Sequence, residues 1–188
     1  MSSTFTGPLR IFKRNNPTNN GVIAPDNTGA AQVSQIQYFN NITGTVASTT
    51  AVTVYNVGST TASNCVVPAG SIIDNITLYE YTAPSALTNG VITAYINVTN
   101  PTTGAVTTTA IGTITPTTTG GQIQIAFTNT AAVATLLNNV GTLDASITYA
   151  FASGATITGN LAGSLKVDYV ARNVDGSITP YGAGLTNQ

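Results

Sequence analysis

The segment Gly90-Val-Ile-Thr-Ala-Tyr-Ile-Asn-Val-Thr99 decides the fold class, because apolar and polar side chains alternate along it. One set is Ile92, Ala94, Ile96 and Val98, and the other is Thr93, Tyr95, Asn97 and Thr99. Successive side chains of a β-strand point to opposite faces of its sheet. This period of two therefore predicts a strand with one buried face and one face that is wet or lies at an interface.

The same alternation recurs along most of the chain. It is clearest in Gln122–Thr128, Thr142–Phe151 and Ser164–Tyr169, and less regular β-rich runs occupy Gln32–Phe39, Thr45–Val57, Ser71–Thr82 and Ala105–Thr115. Turn sequences such as Asn40-Asn41, Pro68-Ala69-Gly70 and Gly120-Gly121 separate these runs. Together they predict an all-β fold of about eight strands, an antiparallel two-sheet β-sandwich that is jelly-roll-like.

One segment has helical spacing. Within Thr130–Asn138, the apolar residues Val133, Leu136 and Leu137 fall on a single stripe. Thr130 suits the N-cap, and Gly141 lies just past the expected end. We therefore expect one short helix across the mouth of the sandwich.

The first residues differ from the rest. Residues 1–31 are expected to form an extended N-terminal docking arm, and residues 32–188 the β-sandwich domain, because Asn15–Gly21 offers little to a core. Three of the five basic residues fall within residues 10–14. We expect the arm to bind a partner protein, with the alternative that it folds back on its own domain. The expected docking residues are Phe5, Leu9, Arg10, Ile11, Phe12, Lys13 and Arg14.

The chain is poor in catalytic side chains, with no histidine, one cysteine, 5 basic and 6 acidic residues among 188. A Ser-His-Asp or Cys-His arrangement is therefore impossible, and Val66-Val67 beside Cys65 favours a small buried hydrophobe over a nucleophile. Asp74 and Glu80 are expected on one face of a strand, about 20 Å apart, too far for a glycosidase pair. We predict no catalytic residues and a protein that is not an enzyme.

Ligand motifs are also weak. Asp26-Asn-Thr-Gly and Asn173-Val-Asp175-Gly contain oxygen ligands but lack EF-hand spacing, and both are ordinary turn sequences. We expect no metal and no cofactor. The net charge of −1 gives no electrostatic attraction for nucleic acid or an anionic membrane, so neither is an expected partner. The N-terminal residues have no basic region followed by an apolar run, which favours synthesis in a cytoplasm.

Charge is scarce over the whole chain. Charged residues make up 6% of it, whereas ordinary globular domains have about 25%. Net charge keeps proteins apart in solution, and the cores of protein interfaces are depleted of charge. This composition favours a densely assembled protein over a solitary one, and we expect the chain to bind copies of itself.

Two segments resemble a known class of proteins. Phe5-Thr-Gly-Pro-Leu-Arg-Ile11 resembles the N-terminal opening of small structural proteins of tailed phages, and Val66–Ile76 resembles their Pro-Ala-Gly-Ser element with its aliphatic strand. Those proteins are head decoration or cement proteins, often built on β-sandwich or jelly-roll domains. The resemblance implies a virion protein on the capsid exterior, made in the host cytoplasm. It also implies a homotrimer, with the major capsid protein as its partner.

A second function class remains open at this point. The chain is alternatively a phage fibre or receptor-binding module, or a carbohydrate-binding adhesive module. Tyr79, Tyr81 and Tyr95 would then stack on sugars from one sheet face. Such tyrosines more often pack within the sandwich or at an interface.

Overall fold

The computed structural model describes residues 31–46, 51–56 and 58–171, and these form eleven strands and one helix. The helix α1, Ala131–Asn138, lies between β9 and β10. The strands in chain order are β1 Ala31–Thr45, β2 Tyr55–Asn56, β3 Cys65–Val67, β4 Ile72–Thr82, β5 Ala86–Thr88, β6 Ile92–Thr99, β7 Val106–Ile114, β8 Gly121–Gln124, β9 Ala126–Phe127, β10 Ala145–Phe151 and β11 Thr156–Ala171.

The strands form two antiparallel sheets. Sheet 1 has the order β2-β1-β11-β4-β8, with β5 paired to the first residues of β11, and sheet 2 has the order β3-β10-β6-β7-β9. When the short strands β2, β5 and β9 are set aside, eight strands remain and can be counted in chain order. The first, eighth, third and sixth of them, which are β1, β11, β4 and β8, form sheet 1. The second, seventh, fourth and fifth then form the other. This winding is the jelly roll, so the predicted all-β two-sheet sandwich is confirmed.

The core lies between the sheets and is built from the alternating positions. In β10 every second residue from Ala145 to Phe151 is buried, and β10 pairs in register with β6 from Val98 to Ile92. The largest fully buried side chains include Phe39, Ile76, Leu78, Ile92, Ile96, Ile111, Ile114, Tyr149 and Phe151. Burial of apolar side chains at about 25 cal/mol per Å² is the main term that holds the sheets together.

The helix is confirmed as well. The N–H of Val133 donates to the hydroxyl of Thr130 at 3.3 Å, which makes Thr130 the N-cap. The helix packs against β4 of sheet 1 and β7 of sheet 2, and Val133 is its buried residue. It therefore connects the two sheets.

Four strand predictions are wrong in their bounds. The predicted Gln32–Phe39 stops too early, because β1 continues through a bulge to Thr45. Among the described residues of Thr45–Val57, only Thr45, at the end of β1, and Tyr55–Asn56 belong to strands, and Ala51 forms an isolated bridge to Ala150. The segment Gln122–Thr128 divides at Ile125, because its first part pairs with β4 and its second with β7 of the other sheet. The last strand begins at Thr156 rather than Ser164, and the short β3 and β5 lacked enough alternation to be predicted.

Candidate functional site

The predicted docking residues, Phe5 to Arg14, lie outside the described residues, and so does nearly all of the predicted arm. The first strand begins at Ala31, which pairs with Ala171 in β11. The arm and its boundary stay a prediction. The sequence turns Asp26–Gly29 and Asn173–Gly176 also lie outside the described residues.

Sheet 2 presents an uncharged outer face. Its strands β3, β6, β7, β9 and β10 contain no Asp, Glu, Lys or Arg. Asn97 donates to the Thr148 hydroxyl at 2.7 Å and accepts from the Thr108 hydroxyl at 2.7 Å. These bonds join three adjacent strands through uncharged groups. The exposed Val66 and Val106 lie on the two flanking strands. Covering such a surface with another protein desolvates no charged side chain of these strands.

Sheet 1 carries the one ion pair found among the described residues. The Lys166 ammonium lies 2.8 Å from the Asp168 carboxylate, which also accepts a hydrogen bond from Ser34. Burial acts to raise the pKa of Asp168, but the hydrogen bonds from Lys166 and Ser34 outweigh it and lower that pKa. The bond to Asp168 raises the pKa of Lys166. Both groups are charged at neutral pH, and each neutralises the other.

The three tyrosines proposed to stack on sugars do not share a face. Tyr79 and Tyr81 lie on β4 in sheet 1, and Tyr95 lies on β6 in sheet 2. The neighbours of Tyr95 in sequence, Ala94 and Ile96, face the core, so Tyr95 faces away from it. The expected common face is therefore wrong, because the sequence pattern does not indicate which sheet a strand joins.

Asp74 and Glu80 differ in their surroundings, and only Glu80 is bonded to another described residue of the domain. Asp74 and Glu80 were expected on one face, and this is wrong because a bulge at Asp74 shifts the alternation of β4. Asp74 is exposed, while Glu80 falls in the buried row of Ile76 and Leu78. The backbone N–H of Thr117 donates to Glu80 at 3.1 Å. Burial raises the pKa of Glu80, and its hydrogen bonds with Thr117 oppose that shift.

The Pro68-Ala69-Gly70-Ser71 element is a turn between the sheets. Asp144 accepts a hydrogen bond from the N–H of Ala69 at 2.9 Å, and Gly70 has a φ of 77°. The Ser71 carbonyl accepts from the N–H of Val140 at 3.1 Å. These bonds hold the connection from β3 to β4 against the segment that precedes β10. The element thus has a structural role in this chain.

Cys65 is a core residue. Its side chain is fully buried on β3, and burial raises the pKa of its thiol to about 12. The thiolate is the reactive form, so this cysteine is inert at neutral pH. Within the described ranges, no group of three or more Cys, Asp or Glu side chains is arranged to hold a metal ion. Nor do those residues contain a helix of the length and hydrophobicity needed to cross a bilayer.

A cavity of about 560 Å³ opens where the bulged part of β1 meets β2 and the end of β10. Its lining includes Tyr38, Tyr55, Asn40 and Asn41, none of which the sequence indicated as a site. Asn40-Asn41 was interpreted as a turn, whereas it lies within β1 as a bulge. Two adjacent asparagines between the β-rich runs Gln32–Phe39 and Thr45–Val57 were the one sequence signal of an irregularity there.

Comparison with protein-family models, with curated proteins and with solved structures gives no match to this chain.

Proposed function

We propose that this protein is a non-enzymatic virion structural protein that decorates and stabilises an icosahedral phage capsid. It associates with copies of itself, as a homotrimer, and bridges subunits of the major capsid protein through its N-terminal arm. The jelly-roll domain is the stiff body of the decoration, a fold that viral capsid domains also use.

The uncharged strands of sheet 2 support this proposal most. Charged groups are the most expensive to desolvate, and interface cores are depleted of them. The outer side chains here carry no charge, and Asn97 already bonds the hydroxyls of Thr108 and Thr148. A copy of the chain or the capsid shell can cover this face at a small cost in desolvation.

The charges favour a partner outside the domain for the basic arm. Residues 1–30 contain Arg10, Lys13 and Arg14, and the described residues contain four carboxylates. Three of these accept hydrogen bonds within the domain, and they are Glu80, Asp144 and Asp168. Only Asp74 is exposed and without such a bond among the described residues. The arm's cations therefore have more to gain from carboxylates on the capsid shell.

The proposed mechanism is mechanical. Phe5, Leu9, Ile11 and Phe12 are the apolar anchors of the arm on the capsid protein, and the basic residues pair with its carboxylates. Each arm is a weak contact, but several arms in one oligomer raise the effective affinity by avidity. Bridging of neighbouring capsid subunits then resists the outward pressure of packaged DNA.

Deletion of residues 1–14 tests the anchor. We expect the truncated protein to lose retention on purified empty expanded phage heads, measured by co-sedimentation, while its thermal unfolding is unchanged. The triple variant Arg10→Gln, Lys13→Gln and Arg14→Gln keeps the apolar anchors, and its retention should weaken and lose its dependence on salt. Full retention of the truncated protein would contradict the role of the arm.

A further inference from the structure

The cavity beside β1 is the described surface most suited to a small ligand. Its volume of about 560 Å³ lies in the range of ligand pockets, which is about 300–1,000 Å³. The buried Val46 and Phe151 contribute apolar side chains to its lining. Polar and aromatic side chains complete the lining, so the cavity offers contacts to a ligand with both apolar and hydroxyl-bearing surfaces.

Two tyrosines form an aromatic platform in this lining. Tyr38 on β1 and Tyr55 on β2 are cross-strand partners, with ring centroids 5.5 Å apart and planes inclined by 30°. The Tyr38 hydroxyl donates to the carbonyl of Ser59 at 2.5 Å, which holds its ring in place. Both rings are half-buried, so each keeps part of its surface open. A held aromatic surface binds a flat apolar group with little loss of side-chain entropy.

A bulge in β1 positions two side-chain amides at the cavity. The register of β1 against β11 shifts between Phe39 and Ile42, so Asn40 and Asn41 lie opposite one residue. Asn41 has a φ of 42°, in the left-handed region that asparagine tolerates better than most residues. Bulges re-aim side chains and are frequent next to binding sites. Both asparagines are exposed, and neither side chain has a hydrogen bond within the described part of the chain.

Hydroxyl groups extend this polar surface. Thr43, Thr53 and Thr60 also line the cavity, are exposed, and form no side-chain hydrogen bond to another described residue. None of the described residues in the lining is an acid or a base of the Asp, Glu, Lys or Arg type. An anionic or cationic ligand would lose its hydration there without gaining a countercharge. A neutral ligand with many hydroxyls has no charge to desolvate.

We propose that this cavity is a binding site for a neutral sugar, a hexopyranose unit of a glycan chain. The apolar face of the ring stacks on Tyr55 and Tyr38, and its hydroxyls bond the amides of Asn40 and Asn41 and the threonine hydroxyls. The site goes beyond the capsid role, and it does not require that role. It also differs from the sugar surface expected at Tyr79, Tyr81 and Tyr95.

Binding of neutral oligosaccharides to the full-length protein tests the site. The probes are maltotetraose, cellotetraose and triacetylchitotriose, and sialyllactose is the charged comparison. Saturation-transfer NMR and calorimetry measure their binding. We expect saturable binding of at least one neutral probe and none of sialyllactose. Tyr55→Ala should weaken binding by about tenfold, from the loss of aromatic contact. Tyr81→Ala, an exposed tyrosine outside the cavity, should leave it unchanged.

Asn40→Ala and Thr53→Val cover the case in which Tyr55→Ala fails to fold, because both change exposed side chains. Each should weaken sugar binding while thermal unfolding and retention on phage heads stay as in the wild type. The head assay separates failure of this site from failure of the capsid role. The proposal is overturned if no neutral probe binds, or if the cavity variants bind as well as the wild type does.

Discussion

At the scale of single residues, Asp168 shows how this domain uses its few charges. The carboxylate accepts hydrogen bonds from Ser34 on β1 and from Lys166 on its own strand, so it connects two strands on the outer face of sheet 1. Lys166 is the only basic side chain among the described residues. Loss of the carboxylate would remove the charged acceptor from both donors, although Lys166 also has the side chain of Tyr79 as a neighbour.

We expect Asp168→Asn to lower the free energy of unfolding at neutral pH by about 1.5–3 kcal/mol, the value of hydrogen bonds to a charged group. The pKa of Asp168 is lowered from its ordinary value of 3.8, so the folded state favours the ionised form. The carboxylate thus stabilises the fold above pH 3.8. This contribution is lost as the pH falls through the folded-state pKa, where wild type and variant should converge.

Urea unfolding across this pH range measures the difference. Asp74→Asn is the matched control, because Asp74 is exposed and forms no hydrogen bond with another described residue. Its effect should stay within about 0.5 kcal/mol. A loss in Asp168→Asn that stays the same at acidic pH would contradict the assigned role.

At the scale of elements, β4 and β11 approach each other unusually closely. An added Cβ at Gly163 would lie 2.3 Å from the carbonyl oxygen of Tyr79, which is a backbone atom of the neighbouring strand. The pairing register shifts at the same point, between Ala162 and Gly163. Only glycine allows this contact without a separation of the strands.

We predict that Gly163→Ala lowers the free energy of unfolding by about 3 kcal/mol or more, because the ladder of sheet 1 must separate locally. Gly44→Ala is the control. Gly44 has a φ of 87° and nothing within 4 Å of the added carbon, so only the left-handed penalty of about 1–2 kcal/mol applies. Chemical denaturation measures both variants. Equal losses of unfolding free energy in the two variants would show that the close approach of the strands at Gly163 does not add to the destabilisation.

Strand bounds were predicted closely where a β-rich run is continuous, whether or not the strand bulges. β4 and β7 lie within one residue of the predicted Ser71–Thr82 and Ala105–Thr115, although the pairing of each has a register shift. β6 and β10 lie inside the segments with regular alternation, Gly90–Thr99 and Thr142–Phe151. Each strand ends at the same residue as its segment. At a bulge, however, the alternation mispredicted which face a side chain takes or where the strand ends. The bulge at Asp74 put two carboxylates on different faces, and the Asn40-Asn41 bulge concealed a strand that continues to Thr45. A bulge shifts the period by one residue, and its position depends on the partner strand.

At the scale of the whole molecule, charge is distributed unequally between the two sheets, and the proposed self-association depends on this difference. The strands of sheet 1 carry Asp74, Glu80, Lys166 and Asp168, and those of sheet 2 carry no charge. Ala110 on β7 is exposed and lies opposite Tyr95 on the outer face of sheet 2. It marks the surface on which self-association is proposed.

Ala110→Arg should weaken self-association, because the new charge loses its hydration without a countercharge on the neighbouring copy. The expected result is a shift towards monomer in sedimentation velocity, with an unchanged β-rich circular dichroism spectrum. Thr102→Arg adds the same charge in the exposed turn between β6 and β7 and should leave the oligomer intact. A wild-type protein that stays monomeric at every concentration would contradict the proposed assembly.

The sequence by itself determined the all-β class, the capped helix at Thr130 and the burial of Cys65. These follow from local periodicity, from capping chemistry and from the neighbours of a residue in the chain. It also determined the scarcity of charge, which is a property of composition. Only the tertiary structure decided which strands share a sheet, which tyrosines face the same way and where the cavity of Tyr38 and Tyr55 opens. Those features arise from pairings between residues far apart in the chain, whose registers and bulges no local pattern specifies.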